Sequence, residues 1–347
     1  MDLTKWTTFD QRQRGRREII YGVSNPLTIS VRRGDNSDIP DTYTSDGMTD
    51  VWGYGILLPS SSTGKPRVYR RNLLLSLSGE IVLQRIGQPE WNIRAQQGAL
   101  VKRGRQVVEA MQRDAIPGRP DSRNSEARHP VYHLGIWAGQ GQTTPVWTSD
   151  TKQSGGPAAT RTTRRDRVDD VLLFARQYME DHIARYLHSR TNRHGIPEEI
   201  QAELRSRADV FAVLQRTFPG ADGLLHPLYS MVTPFTTFSP REHRDTSDTD
   251  YSILANFGAG CWLVLPELQL RVHLQPYDLV IFQTNSLTHA TAAVDSDCEA
   301  DQRWSLSYYQ RKAVRNDCLG ASPTYAANGQ EMQERAIRAA HRWTAQP

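Results

Sequence analysis

Several features are scarce in this sequence, and each shortage excludes a class of protein. The chain has three cysteines, Cys261, Cys298 and Cys318, without a CxxC pair. This odd number argues against a disulfide framework and against a structural zinc site. The longest apolar runs, such as residues 279–282, fall far short of the roughly 20 residues that a membrane-spanning helix needs. We therefore expect a protein without a membrane segment.

Other absences narrow the class further. The first residues lack the apolar stretch of a secretory signal, and the chain has no internal repeat and no glycine-rich phosphate loop. These features, with the cysteine pattern, predict an intracellular protein in a reducing compartment. The 347 residues are enough for one large domain or two ordinary ones.

Lysine is also scarce, so nearly all of the positive charge behind the net charge of +4 is arginine. The planar guanidinium suits phosphates and carboxylates alike, and its excess favours an anionic partner. A genome rich in G and C would give the same bias without any functional meaning.

The residue pattern predicts a mixed first half. Short strands and one helix, residues 100–112, are expected within an N-terminal α+β region, residues 1–137. Residues 138–166 are rich in Gly, Thr, Pro and Ser, which predicts a flexible basic loop. Apolar residues at helical spacing then predict two helices, residues 168–187 and 200–214.

The second half is predicted to be mostly strands, followed by a last helix at residues 330–343. Their close and even spacing favours a sandwich or barrel over alternating βαβ units. We expect a core at residues 167–325 and a C-terminal helical segment at residues 326–347. The predicted strands are residues 228–238, 252–257, 261–265, 270–274, 278–283 and 304–310.

The stretch SPREHRDTSD, residues 239–248, contains the first sign of chemistry. His243 is followed two places later by Asp245, and residues i and i+2 of an extended chain project from the same face. By itself this pair can occur by chance on a surface strand or turn. His289, however, follows a predicted buried strand, which is a suitable position for a third ligand. His243, Asp245 and His289 would form the facial triad of non-haem Fe(II) oxygenases.

Arg303 is a candidate for binding the co-substrate of such a site. It begins RWSLSYYQRK, a stretch with strand-like alternation. A guanidinium there can hold the far carboxylate of 2-oxoglutarate in a bidentate grip. The alternative is a surface arginine at the start of an edge strand.

Three stretches together resemble the core of the TET/JBP family of Fe(II)- and 2-oxoglutarate-dependent dioxygenases, particularly its fungal and protist branches. They are HRDTSD, FGAGCWLVLPELQLRVHLQPYDLVIFQTNSLTHATA and RWSLSYYQRK, and the match covers roughly residues 225–315. The resemblance implies an α+β fold with a double-stranded β-helix core, related to jelly rolls and cupins, flanking helices and an N-terminal α+β extension. It also implies that Arg303 binds 2-oxoglutarate and that His243, Asp245 and His289 bind iron.

The resemblance extends to substrate-binding residues. In this family the residue three places after the metal-binding aspartate contacts the amine of a flipped cytosine, and here it is Asp248. The aromatic residue six places after the co-substrate arginine stacks on the base, and here it is Tyr309. Arg311 stands where the family usually has a histidine at the cytosine edge. A tyrosine, Tyr277, also replaces the glycine of the family's usual Pro-Gly-Asp turn.

The implied activity is the oxidation of 5-methylcytosine in DNA to 5-hydroxymethylcytosine and further, as in DNA demethylation, with Fe(II), 2-oxoglutarate and O2. We then expect a nuclear monomer that binds methylated double-stranded DNA by base flipping. Arginine clusters would hold the phosphates. They are Arg161, Arg164, Arg165 and Arg167, then Arg67, Arg70 and Arg71, and the arginines among residues 12–17.

Two other readings stay open. The protein could be an Fe(II)- and 2-oxoglutarate-dependent oxygenase for N-methylated adenine, thymine, a small molecule or a protein side chain. It could also be a non-catalytic DNA-binding jelly-roll module with a vestigial site.

Overall fold

A computed structural model gives the fold. It describes short strands between residues 9 and 86, then residues 95–114, 130–138, 144–187, 198–268, 270–294, 303–320 and 329–345. Side chains are described for residues 83–86 and, within those ranges, from residue 98 onward.

The described residues form nineteen strands. They are β1 Phe9–Gln13, β2 Arg16–Ile20, β3 Gly22–Asn25, β4 Thr28–Ser30, β5 Thr42–Ser45, β6 Met48–Val51, β7 Leu57–Leu58, β8 Arg67–Val68, β9 Arg71–Leu75, β10 Ile81–Ile86, β11 Leu134–Trp137, β12 Val146–Trp147, β13 Met231–Phe235, β14 Ser252–Asn256, β15 Cys261–Leu265, β16 Leu270–Leu274, β17 Leu279–Phe282, β18 Ala290–Ala293 and β19 Ser305–Tyr309.

The helices lie mostly between β10 and β13 and after β19. They are α1 Ala95–Arg113, α2 Ser149–Lys152, α3 Ala158–Tyr178, α4 Glu198–Thr217, α5 Ala221–Leu224, α6 Lys312–Cys318 and α7 Gly329–Ala345. A π-helical segment, Met179–Ala184, continues α3, and a 3-10 turn, Pro266–Leu268, follows β15.

These bounds confirm the predicted helices and the predicted strands of the second half. Most ends are shifted by a few residues, but α3 begins at Ala158, ten residues before the predicted start. The predicted loop at residues 138–166 is wrong in part, because it contains β12, α2 and the first turns of α3. Thr148 caps α2 by accepting a hydrogen bond from the Thr151 amide at 3.1 Å. Pro157, with φ −59°, precedes the first turn of α3.

Contacts divide the chain into two units. The first unit contains residues 1–92, 236–246 and 253–305, and the second contains residues 93–235, 247–252 and 306–347. This division differs from the predicted boundaries at residues 137, 166 and 325, because the chain passes between the units several times.

The first unit contains two mainly antiparallel sets of strands, in the orders β14-β17-β10-β9 and β18-β15-β16-β6-β5. In β16 the residues alternate between buried and part-exposed, which is the pattern of a sheet with one covered face. All of β17 is buried. Beside it, Arg85 and Asp278 form a fully buried ion pair at 3.0 Å.

The turn before β17 has a tyrosine, Tyr277, at a position with a left-handed backbone. Tyr277 has φ +69°, in the left-handed region that favours glycine. Its amide donates to the carbonyl of Asn256 at 2.6 Å. The Asp278 carboxylate accepts from the Gln275 amide at 2.9 Å, so the turn is fixed from both sides.

The second unit combines the helices with strands in the order β12-β11-β13-β19. Helix α3 is buried along its C-terminal half, from Val168 to Tyr178. Phe174 lies directly over Gly104 of α1, where a Cβ atom would be 2.2 Å from the ring. Arg335 of α7 pairs with Asp169 of α3 at 2.6 Å, with both side chains buried. Packing and this ion pair therefore fix α3 between α1 and α7.

The fold is thus a mixture of helices and mainly antiparallel sheets, as the α+β prediction stated. Among the residues that the structure describes, the strand orders are open and do not close into a barrel. No helix in the described part is long and apolar enough to cross a bilayer. Cys261 and Cys318 are buried and form no disulfide among the described residues, whereas Cys298 lies outside them.

Candidate functional site

The three predicted metal ligands lie together in the first unit. His243 and His289 face each other as an antiparallel bridge, with backbone N–H···O distances of 3.1 and 2.9 Å. Directly opposed residues of such a pair project from the same face. Asp245 follows two residues after His243, and its amide donates to the carbonyl of Thr284 at 2.9 Å. Backbone pairing therefore brings all three side chains to one face.

Their ligand atoms converge. One nitrogen of each imidazole and one carboxylate oxygen of Asp245 all lie within 4.8 Å of one another. His289 Nε2 is 3.6 Å from Asp245 Oδ2, and the two imidazole centroids are 4.3 Å apart. Two nitrogens and one oxygen at this spacing can bind one divalent ion.

The hydrogen bonds of the imidazoles fix which nitrogen faces the centre. His243 Nδ1 lies 2.9 Å from the Arg241 carbonyl, and His289 Nδ1 lies 3.0 Å from the Leu287 carbonyl. A carbonyl oxygen only accepts, so each Nδ1 carries the proton, and each neutral ring presents the lone pair of Nε2. Such bonds orient metal-binding histidines and make them better ligands.

Burial differs among the three candidate ligands. His289 is 7% exposed and lies against the perpendicular ring of Phe282, whereas His243 and Asp245 are half-buried. The chemistry of the donor set, two neutral imidazoles and one carboxylate, matches the two-histidine, one-carboxylate triad of Fe(II) oxygenases. The residues present therefore fit iron.

Arg303 lies in the same unit and is 2% exposed. Its Nη1 donates to the Thr237 carbonyl, and its guanidinium carbon lies 5.3 Å above the Phe238 ring. Its Nε is buried without a hydrogen-bond partner, and no carboxylate among the described residues pairs with it. A buried, unpaired positive charge is costly, so this arginine has the character of an anion-binding group.

The predicted substrate-binding residues lie in the second unit, where Asp248 and Arg311 face each other as another antiparallel bridge. Arg311 Nη1 is 2.9 Å from Asp248 Oδ1, and Asp248 is almost fully buried. Arg311 Nε is itself buried without a hydrogen-bond partner. The structure thus places Arg311 directly on the Asp248 carboxylate.

Buried Arg207 fixes the segment that carries Asp248. Its guanidinium donates to the Leu228 carbonyl at 3.1 Å, to Thr249 Oγ1 at 3.2 Å and to the Tyr251 carbonyl. Burial lowers the pKa of Arg207, and the partner carboxylate of Glu203 opposes that shift. The position of Asp248 is therefore set by a buried charge network.

Tyr309 is buried and belongs to a cluster that the sequence did not reveal. Its hydroxyl lies 2.9 Å from His133 Nδ1 and 3.1 Å from Thr233 Oγ1. The His133 ring stacks on Trp137 at 6.0 Å, and the Arg311 guanidinium carbon lies 5.8 Å from the Trp137 ring and 5.7 Å from the Tyr309 ring. Arg311 thus contacts two aromatic rings as well as Asp248.

The arginines predicted to bind phosphates lie on α3 and differ in their environment. Arg165 pairs with Glu331 at 2.6 Å, and Arg167 pairs with Asp114 at 2.7 Å. Arg161 and Arg164 have no carboxylate partner within the described part of the chain. The side chains of Arg67, Arg70, Arg71 and the arginines among residues 12–17 lie outside the described residues.

Comparisons with known proteins gave one kind of match. No protein-family model and no curated protein matches this chain. A solved structure of NgTET1 in complex with 5mC DNA is similar, with a TM-score of 0.46 and 16% sequence identity. The match covers 78% of this chain and 86% of that chain.

Proposed function

We propose that this protein is an Fe(II)- and 2-oxoglutarate-dependent dioxygenase of the TET/JBP type. Its substrate is the methyl group of a flipped base, 5-methylcytosine in DNA, which it oxidises to 5-hydroxymethylcytosine and further products. The observation that carries the proposal is the convergence of His243, Asp245 and His289 within 4.8 Å, with the Nδ1 atom of each histidine bonded to a backbone carbonyl.

Each residue of this centre has a defined task. His243 and His289 would hold the ion through neutral Nε2 atoms, and Asp245 would offset one of its positive charges. Three ligands on one side leave the other side of the ion for co-substrates. Bound iron, with 2-oxoglutarate and O2, supplies the chemistry that converts a C–H bond to C–OH.

The environment of Arg303 supports 2-oxoglutarate as the co-substrate. Its buried guanidinium has one carbonyl acceptor, one aromatic contact and an unsatisfied Nε. A carboxylate would supply the missing negative charge and accept from the guanidinium in a charge-assisted bond. Arg303 binds the Thr237 carbonyl, in the same segment that continues to His243 and Asp245.

The pairing of Asp248 with Arg311 supports a base that carries an amine. Together the two side chains offer a hydrogen-bond acceptor beside a donor. The Watson–Crick edge of cytosine has the complementary arrangement, an exocyclic amine beside acceptor atoms, whereas thymine has a carbonyl in place of that amine. Tyr309 would stack on the base. N-methylated adenine shares the amine and is the second candidate.

Double-stranded DNA is the proposed partner, and a nuclear monomer with a double-stranded β-helix core is the proposed form. Arg161 and Arg164, which are not engaged by carboxylates of the described residues, are the side chains of α3 proposed to contact phosphates. Such contacts would make the affinity for DNA fall as salt rises.

Mass spectrometry of nucleosides tests the proposal. The protein is incubated with Fe(II), 2-oxoglutarate and duplexes that carry 5-methylcytosine, N6-methyladenine or no modification. We expect 5-hydroxymethylcytosine from the first duplex and succinate release that this duplex stimulates. Turnover confined to the N6-methyladenine duplex would reassign the base, and turnover without any DNA would indicate a small-molecule or protein substrate.

Metal analysis separates the enzyme from a non-catalytic DNA-binding module. Wild-type protein should hold one iron per chain, and His243→Ala and Asp245→Ala should lose both iron and turnover while DNA affinity stays nearly unchanged. Retained activity in either variant would contradict the assignment of the triad.

A further inference from the structure

The two segments that carry the metal ligands are also joined on their other face. His243 lies opposite His289, and in the same register Arg244 lies opposite Thr288. Neighbouring residues of an extended chain project from opposite faces. Arg244 Nε donates to Thr288 Oγ1 at 2.9 Å, so this second pair lies behind the imidazoles.

One carboxylate binds both members of that second pair. Glu267 lies in the 3-10 turn after β15 and forms an ion pair with Arg244. It also accepts from Thr288 Oγ1 at 2.8 Å and from the Thr288 amide at 3.4 Å. Glu267 thus contacts the residue between His243 and Asp245 and the residue directly before His289.

The rigidity of β15 is what makes Glu267 suited to this task. β15 pairs with β16 on one side and with β18 on the other, with Val264 opposite Ala290. Glu267 therefore projects from the end of a strand that is fixed on both edges. A side chain held there can fix the separation of the two ligand-bearing segments.

The exposure of the Arg244–Glu267 ion pair indicates whether it affects folding stability or metal affinity. The side chains of Arg244 and Glu267 are 44% and 23% exposed, and pairs of this kind add little to folding stability. We therefore expect this pair to affect the positions of His243, Asp245 and His289 more than the stability of the fold. A residue that only stabilised the fold would change the melting temperature and leave metal affinity unchanged.

We propose that Glu267 is a positioning residue for the metal centre, which ties Arg244 to Thr288 and so holds His243, Asp245 and His289 at the distances that one ion requires. The inference rests on the proposed iron site, because it concerns the affinity of that site for a metal. Removal of groups that orient metal ligands typically weakens metal binding by about 10- to 100-fold.

The test is a titration of metal-free protein with Co(II), followed by calorimetry and by the visible absorption of bound Co(II). Glu267→Ala should weaken binding by about 10-fold or more and shift the Co(II) bands, because the ligands are less well oriented. Glu267→Gln should lie between this variant and wild type, because its amide oxygen can still accept from Thr288 but the charge opposite Arg244 is lost. The melting temperature without metal should change little in both.

Glu242→Ala is the matched control. Glu242 is an exposed carboxylate next to His243, and it forms no hydrogen bond or ion pair within the described residues. Its removal takes away the same charge near the metal without loss of a contact, so Co(II) affinity should stay within about twofold. An equal loss in Glu242→Ala and Glu267→Ala would overturn the inference, as would wild-type affinity in Glu267→Ala.

Two further variants keep the outcome clear. If Glu267→Ala does not fold, Arg244→Ala and Thr288→Val remove the other ends of the same contacts and should also weaken Co(II) binding. Wild-type affinity in both would overturn the inference. If wild-type protein binds no Co(II), or if His243→Ala binds it equally well, the proposed metal site itself is wrong.

Discussion

Replacement of Arg303 by methionine should separate ligand binding from folding, because the two effects are expected to have opposite signs. Methionine is apolar and flexible enough to fill the space of the buried side chain. In the ligand-free protein the substitution removes a buried charge that has no carboxylate partner among the described residues.

The magnitudes follow from the contacts of Arg303. Loss of the bond to the Thr237 carbonyl should cost about 1 kcal/mol, and loss of the contact with Phe238 about 0.5–2 kcal/mol. Removal of an uncompensated buried charge raises the free energy of unfolding by several kcal/mol. The free energy of unfolding without ligand should therefore stay the same or rise.

Binding of 2-oxoglutarate should respond in the opposite direction. Truncation of one partner of a buried charged pair costs about 2–5 kcal/mol, which corresponds to a loss of about 30-fold to several thousand-fold in affinity. In wild-type protein loaded with Ni(II), 2-oxoglutarate at 100 times its Kd should add about 2.7 kcal/mol to the free energy of unfolding. At the same concentration of 2-oxoglutarate this increment should fall to about 0.9 kcal/mol or less in Arg303→Met.

Arg85→Met is the matched control, because Arg85 is an equally buried arginine of the same unit that does have a carboxylate partner. Its removal leaves the buried carboxylate of Asp278 without its arginine partner, which should cost about 3–5 kcal/mol. Urea unfolding of both variants, with and without 2-oxoglutarate, makes the comparison. The reasoning is refuted if Arg303→Met loses as much stability as Arg85→Met while the increment from 2-oxoglutarate persists.

Three further predictions follow from single contacts. Asp248→Asn removes the charge opposite Arg311 and should reduce the yield of oxidised base more than it reduces uncoupled consumption of 2-oxoglutarate. The ratio of 5-hydroxymethylcytosine to succinate measures this difference. Equal losses of both products would argue against a base-binding role. Tyr277→Gly relieves the left-handed backbone at φ +69° and should raise the free energy of unfolding in urea by about 1 kcal/mol, so a decrease would contradict strain at this turn. Burial, with a smaller contribution from Asp317, raises the pKa of the Cys318 thiol to about 12. Iodoacetamide at pH 8 should therefore label Cys318 in denatured but not in native protein, as mapped by mass spectrometry.

The convergence of His243, Asp245 and His289 could be predicted because each part of the pattern is local. His243 and Asp245 are two residues apart, and His289 follows a strand that its apolar run identifies. The strands and helices of the second half are likewise encoded in short patterns, and the structure confirms them with small shifts. The residues that surround these three side chains do not follow a local pattern of this kind in the sequence.

The contacts that the sequence did not reveal join residues that are far apart along the chain. His133 and Tyr309 are 176 residues apart, and Glu267 lies 21 residues from Thr288. Turns and pairings between them, rather than periodicity, bring them together. The error at residues 138–166 has a related cause, because packing against α1 and α7 stabilises helix α3 in a stretch whose composition resembles a loop.

The excess of arginine favours an anionic ligand, but most of the described buried arginines pair with carboxylates of the chain instead. Several arginines serve the fold, since Arg85, Arg207 and Arg335 are buried against carboxylates. Arg311 is engaged by Asp248. Arg303 differs from them, because the described part of the chain offers it no negative charge. A buried cation is tolerated only where something compensates it, and the carboxylate of 2-oxoglutarate, the proposed co-substrate, would supply that compensation at Arg303.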